Sequence, residues 1–200
     1  MRMRFRNKLT VLGPAEQVRA FIQIDKADTP LSFNRFVPMP DELLVHTSSP
    51  DPGEDAYKEL PWVFDLLVAP SKANLAKVGA TDWCGWRMVH WGSTSEAFIV
   101  DPPSFHFIEE DDRARAYATY FFETNYGPPT GVLRAMSLQF PALVFLLSHD
   151  ELFGGFTSYM VMVNNRMIDW VHDFCRGTQF EEGDQFPQGI EEPPSEQEFF

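Results

Sequence analysis

Within its first 25 residues the chain changes its apolar period from two to 3.6, and this switch restricts the fold more than any other feature. Asn7-Lys8-Leu9-Thr10-Val11-Leu12 alternates polar and apolar side chains, the pattern of a strand with one buried face. Gly13-Pro14 closes the segment with turn chemistry. Val18, Phe21 and Ile22 then fall at i, i+3 and i+4, and Glu16 lies in the first turn, where the helix dipole favours negative charge. A strand feeding an amphipathic helix predicts a layered α+β domain in which the helix covers a sheet.

The rest of the chain extends the pattern. Asp28-Thr29-Pro30 breaks the helix, and Leu31 to Val37 reads as a second strand stopped by Pro38-Met39-Pro40, because proline donates nothing to a ladder. From Asp41 to about Pro103 the chain is punctuated by Ser48-Ser49-Pro50-Asp51-Pro52-Gly53, Pro61 and Pro70. That stretch reads as an insertion of loops and short helices. It carries Trp62, Trp83, Trp86 and Trp91, so it is expected to pack on the main domain.

Phe105 to Ile108 is a short strand, and Glu109-Glu110-Asp111-Asp112 an exposed turn, since four carboxylates are not buried together. Ala116 to Thr124 is an aromatic-rich strand ended by Pro128-Pro129. Thr130 is positioned to cap a helix bearing Val132, Leu133 and Met136 on one face, and Pro141 stops it. Ala142 to Ser148 reads as a buried strand. A closing hairpin follows, Phe156 to Val163 and Arg166 to Val171, with Asn164-Asn165 able to take the positive φ of a tight turn. This order predicts an α+β ferredoxin-like sandwich: an antiparallel sheet with helices on one face and a helical, Trp-rich insertion (about 41–103) after the second strand. One domain is expected over 1–175. Beyond it the composition shifts to Glu, Gln, Gly and Pro, the signature of a disordered acidic tail over 176–200.

Charge and cysteine use narrow the function classes. The longest apolar run, Ala142 to Leu147, is far short of the roughly 20 residues a membrane-spanning helix needs, and no apolar leader opens the sequence; a cytoplasmic location is expected, in the host cell if the gene belongs to a phage. Cys84 and Cys175 are the only cysteines, too few for a disulfide framework or an all-cysteine zinc site. A net charge of -13 repels phosphate backbones and favours basic protein partners.

Several spaced blocks carry a family resemblance. Asn7-x-Leu9-x-Val11-x-Gly13 is followed by Phe33-Asn34-x-x-Val37-Pro38-Met39-Pro40-x-Glu42-Leu43, then Trp83-Cys84 and Trp91-Gly92. Phe122-x-Thr124-x-Tyr126-x-Pro128-Pro129, Leu138-x-Phe140-Pro141-x-Leu143-x-Phe145 and Glu151-x-x-Gly154-Gly155 complete the set. Over roughly residues 7 to 165 the chain resembles the plasmid YubB-like family of phage and plasmid proteins. The resemblance implies a ferredoxin-like domain and a mobile-element origin, and it implies no reaction. Where the family continues its tryptophan-glycine with threonine, lysine and a second tryptophan, this chain has Ser93-Thr94-Ser95.

Candidate sites follow. A non-enzymatic accessory protein that binds a host or defence-system protein is the leading expectation, acting through Glu109, Glu110, Asp111 and Asp112 and through Trp86, Arg87 and His90; one version is acidic DNA mimicry. As an alternative, sheet aromatics Tyr117, Tyr120 and Phe122 with a basic N-terminal arm of Arg2, Arg4 and Arg6 would bind single-stranded nucleic acid. A metal- or thiol-dependent enzyme would draw on Cys84, His90, His149, Asp150 and Glu151, but no His-Glu-x-x-His, Cys-x-x-Cys, Asp-rich calcium loop or phosphate-binding glycine loop is present. No catalytic residue, metal or cofactor is therefore assigned. The protein is expected to be a monomer or homodimer.

Overall fold

A computed structural model describes residues 3–25, 30–44, 69–110, 113–151 and 157–173. The chain forms an α+β domain around a six-stranded antiparallel sheet. Strand β1 (Arg4–Pro14) leads into helix α1 (Ala15–Asp25), as the change of period predicts. Short helix α2 (Phe33–Phe36) and a 3-10 turn (Asp41–Leu44) follow, then α3 (Ala69–Val78) and α4 (Trp83–His90). The remainder is β2 (Phe98–Glu110), β3 (Arg113–Asn125), α5 (Thr130–Gln139), β4 (Val144–Glu151), β5 (Thr157–Val163) and β6 (Arg166–Asp173). The strands lie in the order β2-β3-β1-β4-β5-β6. Every neighbouring pair is antiparallel, so β1 and β2 run parallel with β3 between them, and β3 and β4 run parallel with β1 between them.

Strand parity divides the sheet into two faces. Phe5, Leu9 and Val11 of β1, Ala116, Ala118, Tyr120 and Phe122 of β3, and Phe145 and Leu147 of β4 are buried on one face with Val18 and Phe21 of α1 and Leu133 and Met136 of α5. Phe21 is central: its ring meets Tyr120, Phe140 and Phe145 edge-on at 5.4–6.0 Å, an arrangement that aromatic quadrupoles favour. The other face holds the intervening residues, among them Arg6, Lys8, Tyr117 and Phe121, and no described helix packs on it.

Three expectations are corrected here. Leu31 to Val37 is no strand. Leu31 takes φ 58, the left-handed region an extended strand excludes, and the Glu96 carboxylate accepts the backbone N–H groups of Phe33 at 2.5 Å and Asn34 at 3.0 Å, which starts α2 instead. The segment 41–103 consequently follows a helix rather than a second strand. It also ends earlier than expected, because β2 begins at Phe98 and runs through Pro102-Pro103. The prolines are tolerated because β2 is an edge strand, and the ladder shifts register around them. Thr130 is the first residue of α5, not its cap; Pro129 is the N-cap.

Trp86 and Trp91 belong to the central core, with Trp91 fully buried and its indole N–H donating to the Val37 carbonyl at 2.8 Å. Trp62 lies outside the described residues, as do Arg2, Asp111, Asp112, Cys175 and the whole of 176–200. The hairpin between β5 and β6 turns at Asn164 and Asn165, with φ 43 and 61 as their residue type allows. Among the described residues no helix is long and apolar enough to cross a membrane.

Candidate functional site

Three regions contain the sequence-derived candidates, and the structure sorts them differently from the sequence. The hairpin of β2 and β3 ends where Glu109 stands opposite Ala114 and Glu110 opposite Arg113. It thus brings the two glutamates to one end of an edge strand; their acidic neighbours Asp111 and Asp112 lie outside the described residues. Just before them, Phe105 and Phe107 are 37% and 46% exposed, and their rings meet edge-on at 5.0 Å. Opposite Ala118 and Ala116 in the ladder, both phenylalanines face the helical side. There a groove of about 440 Å³ runs between α1 and the edge, walled by Arg19, Ile22 and Gln23 on one side and Pro103, Ser104 and Phe105 on the other. The Arg19 guanidinium lies over the Phe107 ring, 4.3 Å from its centroid, a favourable cation–π placement.

Trp86, Arg87 and His90 share α4, and the burial of Trp86 corrects its place among partner-facing residues. Trp86 is buried and unavailable to a partner, whereas His90 is exposed and stacks on it at 4.3 Å. Arg87 is half-buried, with its guanidinium carbon 4.5 Å from the Trp91 ring centroid and 5.1 Å from that of Trp83. Its Nη1 donates to the Thr94 carbonyl at 3.3 Å, while its buried Nε has no acceptor. Arg87 opens onto a cavity of about 280 Å³ shared with Ser32, Met39, Asp41, Leu44 and Glu96. Burial pushes the Glu96 carboxyl above its ordinary range, opposed by the Phe33 and Asn34 N–H groups and by Arg87. Glu96 escapes sequence reasoning because the two N–H groups it accepts are more than sixty positions away.

The sheet candidates divide by parity. Tyr120 and Phe122 are 0% and 1% exposed on the core face, so neither ring can stack on a base. Tyr117 lies on the open face, stacked on His106 at 4.8 Å. The exposed ring beside it in parity is Phe121, which period-two counting from Tyr117 picks out; Lys8 sits 5.8 Å from its centroid. Arg4 and Arg6 are no free arm. They belong to central strand β1 and approach Glu123 at 3.3 and 3.9 Å.

The remaining chemistry is dispersed. Cys84 lies on α4, and burial together with the Asp82 carboxylate pushes its thiol up, which opposes thiolate formation and nucleophilic attack. His149 is buried on the core face of β4 beside Phe5, and Asp150 accepts from the Thr157 hydroxyl at 2.6 Å. Among the described residues no three His, Cys, Asp or Glu side chains gather. Ser93-Thr94-Ser95 has a structural use: the Ser93 hydroxyl donates to the Asn125 carbonyl at 3.1 Å, and the Ser95 hydroxyl accepts the Asn125 N–H at 3.0 Å. These residues tie the segment after Trp91 to the end of β3.

No family model matches the chain, and no curated protein matches it. Among solved structures, the crystal structure of protein api92 from Yersinia pseudotuberculosis, family model DUF1281, aligns with a TM-score of 0.47 and 10% identity, over 90% of this chain and 100% of that one.

Proposed function

We propose that this protein is a non-enzymatic binding module that takes an extended, basic segment of a partner protein along the second half of β2. The observation that carries the proposal is an unequal edge. Sheet edges invite pairing by another chain, and proteins blunt them with prolines and bulges. Here Pro102-Pro103 and two register shifts blunt the first half of β2, while Ser104 to Glu110 pairs regularly with β3 and has no described strand on its outer side. That open half also borders the groove and carries Phe105 and Phe107. Strand addition draws affinity from main-chain hydrogen bonds and specificity from pockets for alternate side chains. Glu109 and Glu110 at the hairpin end, in a chain of charge -13, select for lysine and arginine on that segment.

The strand order supports a ferredoxin-like unit formed by β1, α1, β2, β3, α5 and β4, extended past β4 by β5 and β6. In the setting implied by the family resemblance, the partner is a host or defence-system protein.

A fluorescent dodecapeptide alternating valine and lysine tests the reading against a valine–glutamate control. The lysine peptide is expected to bind at least ten-fold tighter than the control, and Phe107→Glu is expected to weaken it about ten-fold, or 1.4 kcal/mol. Equal affinity for both peptides, or binding indifferent to Phe107→Glu, would overturn it. Salt-sensitive binding of a single-stranded oligonucleotide, lost in Arg6→Glu, would put a nucleic acid on the open sheet face in its place.

A further inference from the structure

We infer that the cavity between α4 and α2 is a binding site for a small zwitterion of the α-amino-acid class, independent of the β2 edge. Its cationic wall is Arg87, whose guanidinium carbon lies 5.1 Å from the Trp83 ring centroid and 4.5 Å from that of Trp91, and whose Nη1 donates to the Thr94 carbonyl at 3.3 Å. A guanidinium fixed in this way presents a planar fork that matches a carboxylate.

The anionic wall is Glu96, with Asp41 on the same cavity. Both Glu96 oxygens accept a backbone N–H from the start of α2, and each retains a further lone pair for an ammonium group. Glu96 and Arg87 feel each other's charge, and burial disfavours the charged form of both. The two signs on one cavity decide the ligand class. A simple anion faces Glu96 and Asp41, and a simple amine faces Arg87; a molecule carrying both charges satisfies both walls.

Size and rigidity narrow the class further. At about 280 Å³ the cavity lies just below the usual range for small-molecule pockets, room for an amino acid and too little for a nucleotide. Met39 and Leu44 line it and offer an apolar surface to a side chain. The backbone beside it is strained: Leu31, a buried leucine on the cavity wall, holds φ 58. Strain of this kind clusters at ligand sites, where surrounding structure over-determines it.

Isothermal titration of the full chain with each of the common L-amino acids tests the inference. At least one is expected to bind with a Kd of about 1 mM or tighter. Its N-acetyl and carboxamide derivatives, each missing one charge, are expected to bind at least ten-fold more weakly. Leu44→Trp, at a mostly exposed position on the cavity wall, is expected to abolish binding without altering the melting midpoint, and Arg87→Met to abolish it as well. Phe107→Glu is expected to leave it unchanged. Absence of heat for every amino acid at 10 mM ligand, or equal affinity for the N-acetyl derivative, would overturn the inference, as would binding unaffected by Leu44→Trp.

Discussion

Two residues hold the elements beside α4 in place, and both act through backbone atoms far away in sequence. Glu96 supplies the acceptors that the start of α2 lacks locally, because Ser32 makes no capping bond. Glu96→Ala is therefore expected to cost about 1–3 kcal/mol, the penalty for a donor stranded away from water, measured by urea denaturation. Its titration has a definite sign. With its carboxyl raised in the folded state, the native protein binds more protons than the unfolded chain between the two pKa values, so this group adds stability as pH falls through the folded value. Wild type is expected to gain on Glu96→Gln as the pH of denaturation is lowered from 7 towards the ordinary glutamate value of about 4.3. Gly131 is the second residue. A Cβ there would overlap the His90 carbonyl oxygen, where the Gly131 N–H donates to the Trp91 carbonyl at 3.1 Å. Gly131→Ala is expected to destabilise by about 1–3 kcal/mol or more, as overpacking does, although the same change in an ordinary exposed helix stabilises.

At the scale of elements, the sequence is readable where local chemistry decides and unreadable where a distant group does. The alternation of β1, the period of α1 and the Asn164-Asn165 turn are local properties, and each appears where it is expected. Asn164→Val tests the turn: a β-branched residue at φ 43 is expected to cost about 1–2 kcal/mol, visible as a lowered melting midpoint. Segment 31–37 fails the local reading because Glu96 pulls its N–H groups into a helix start. The first half of β2 fails it because proline argues against a strand only where both edges are paired, and sequence does not reveal which strand is at the edge. The candidate sites follow the same division. Phe105 and Phe107 are two apart in a segment that reads as a strand, so their common face is legible. Tyr120 and Phe122 are also two apart, but parity does not say which face the helices cover. The cavity of Arg87 and Glu96 has no local signal, since its walls come from α4, the loop before β2 and the segment from 30 to 44.

For the whole molecule, the distribution of charge matters more than its total. The open sheet face gathers Arg4, Arg6 and Lys8 on one strand, while residues 176–200 set seven acids against one arginine. The composition of 176–200 supplies too little apolar surface to stabilise a core, so a chain ending at residue 175 is expected to keep its melting midpoint. Its effect should instead be kinetic. Long-range attraction raises association rates and is screened within about 10 Å at 0.1 M salt, whereas contact energies act mainly on dissociation. Stopped-flow mixing of the valine–lysine dodecapeptide with the full and shortened chains separates the two. The shortened chain is expected to associate several-fold more slowly at 10 mM salt, with the difference gone at 300 mM and dissociation rates equal throughout. A faster dissociation from the shortened chain would instead mean that the acidic residues beyond 175 touch the bound segment, extending the binding surface past the β2 edge.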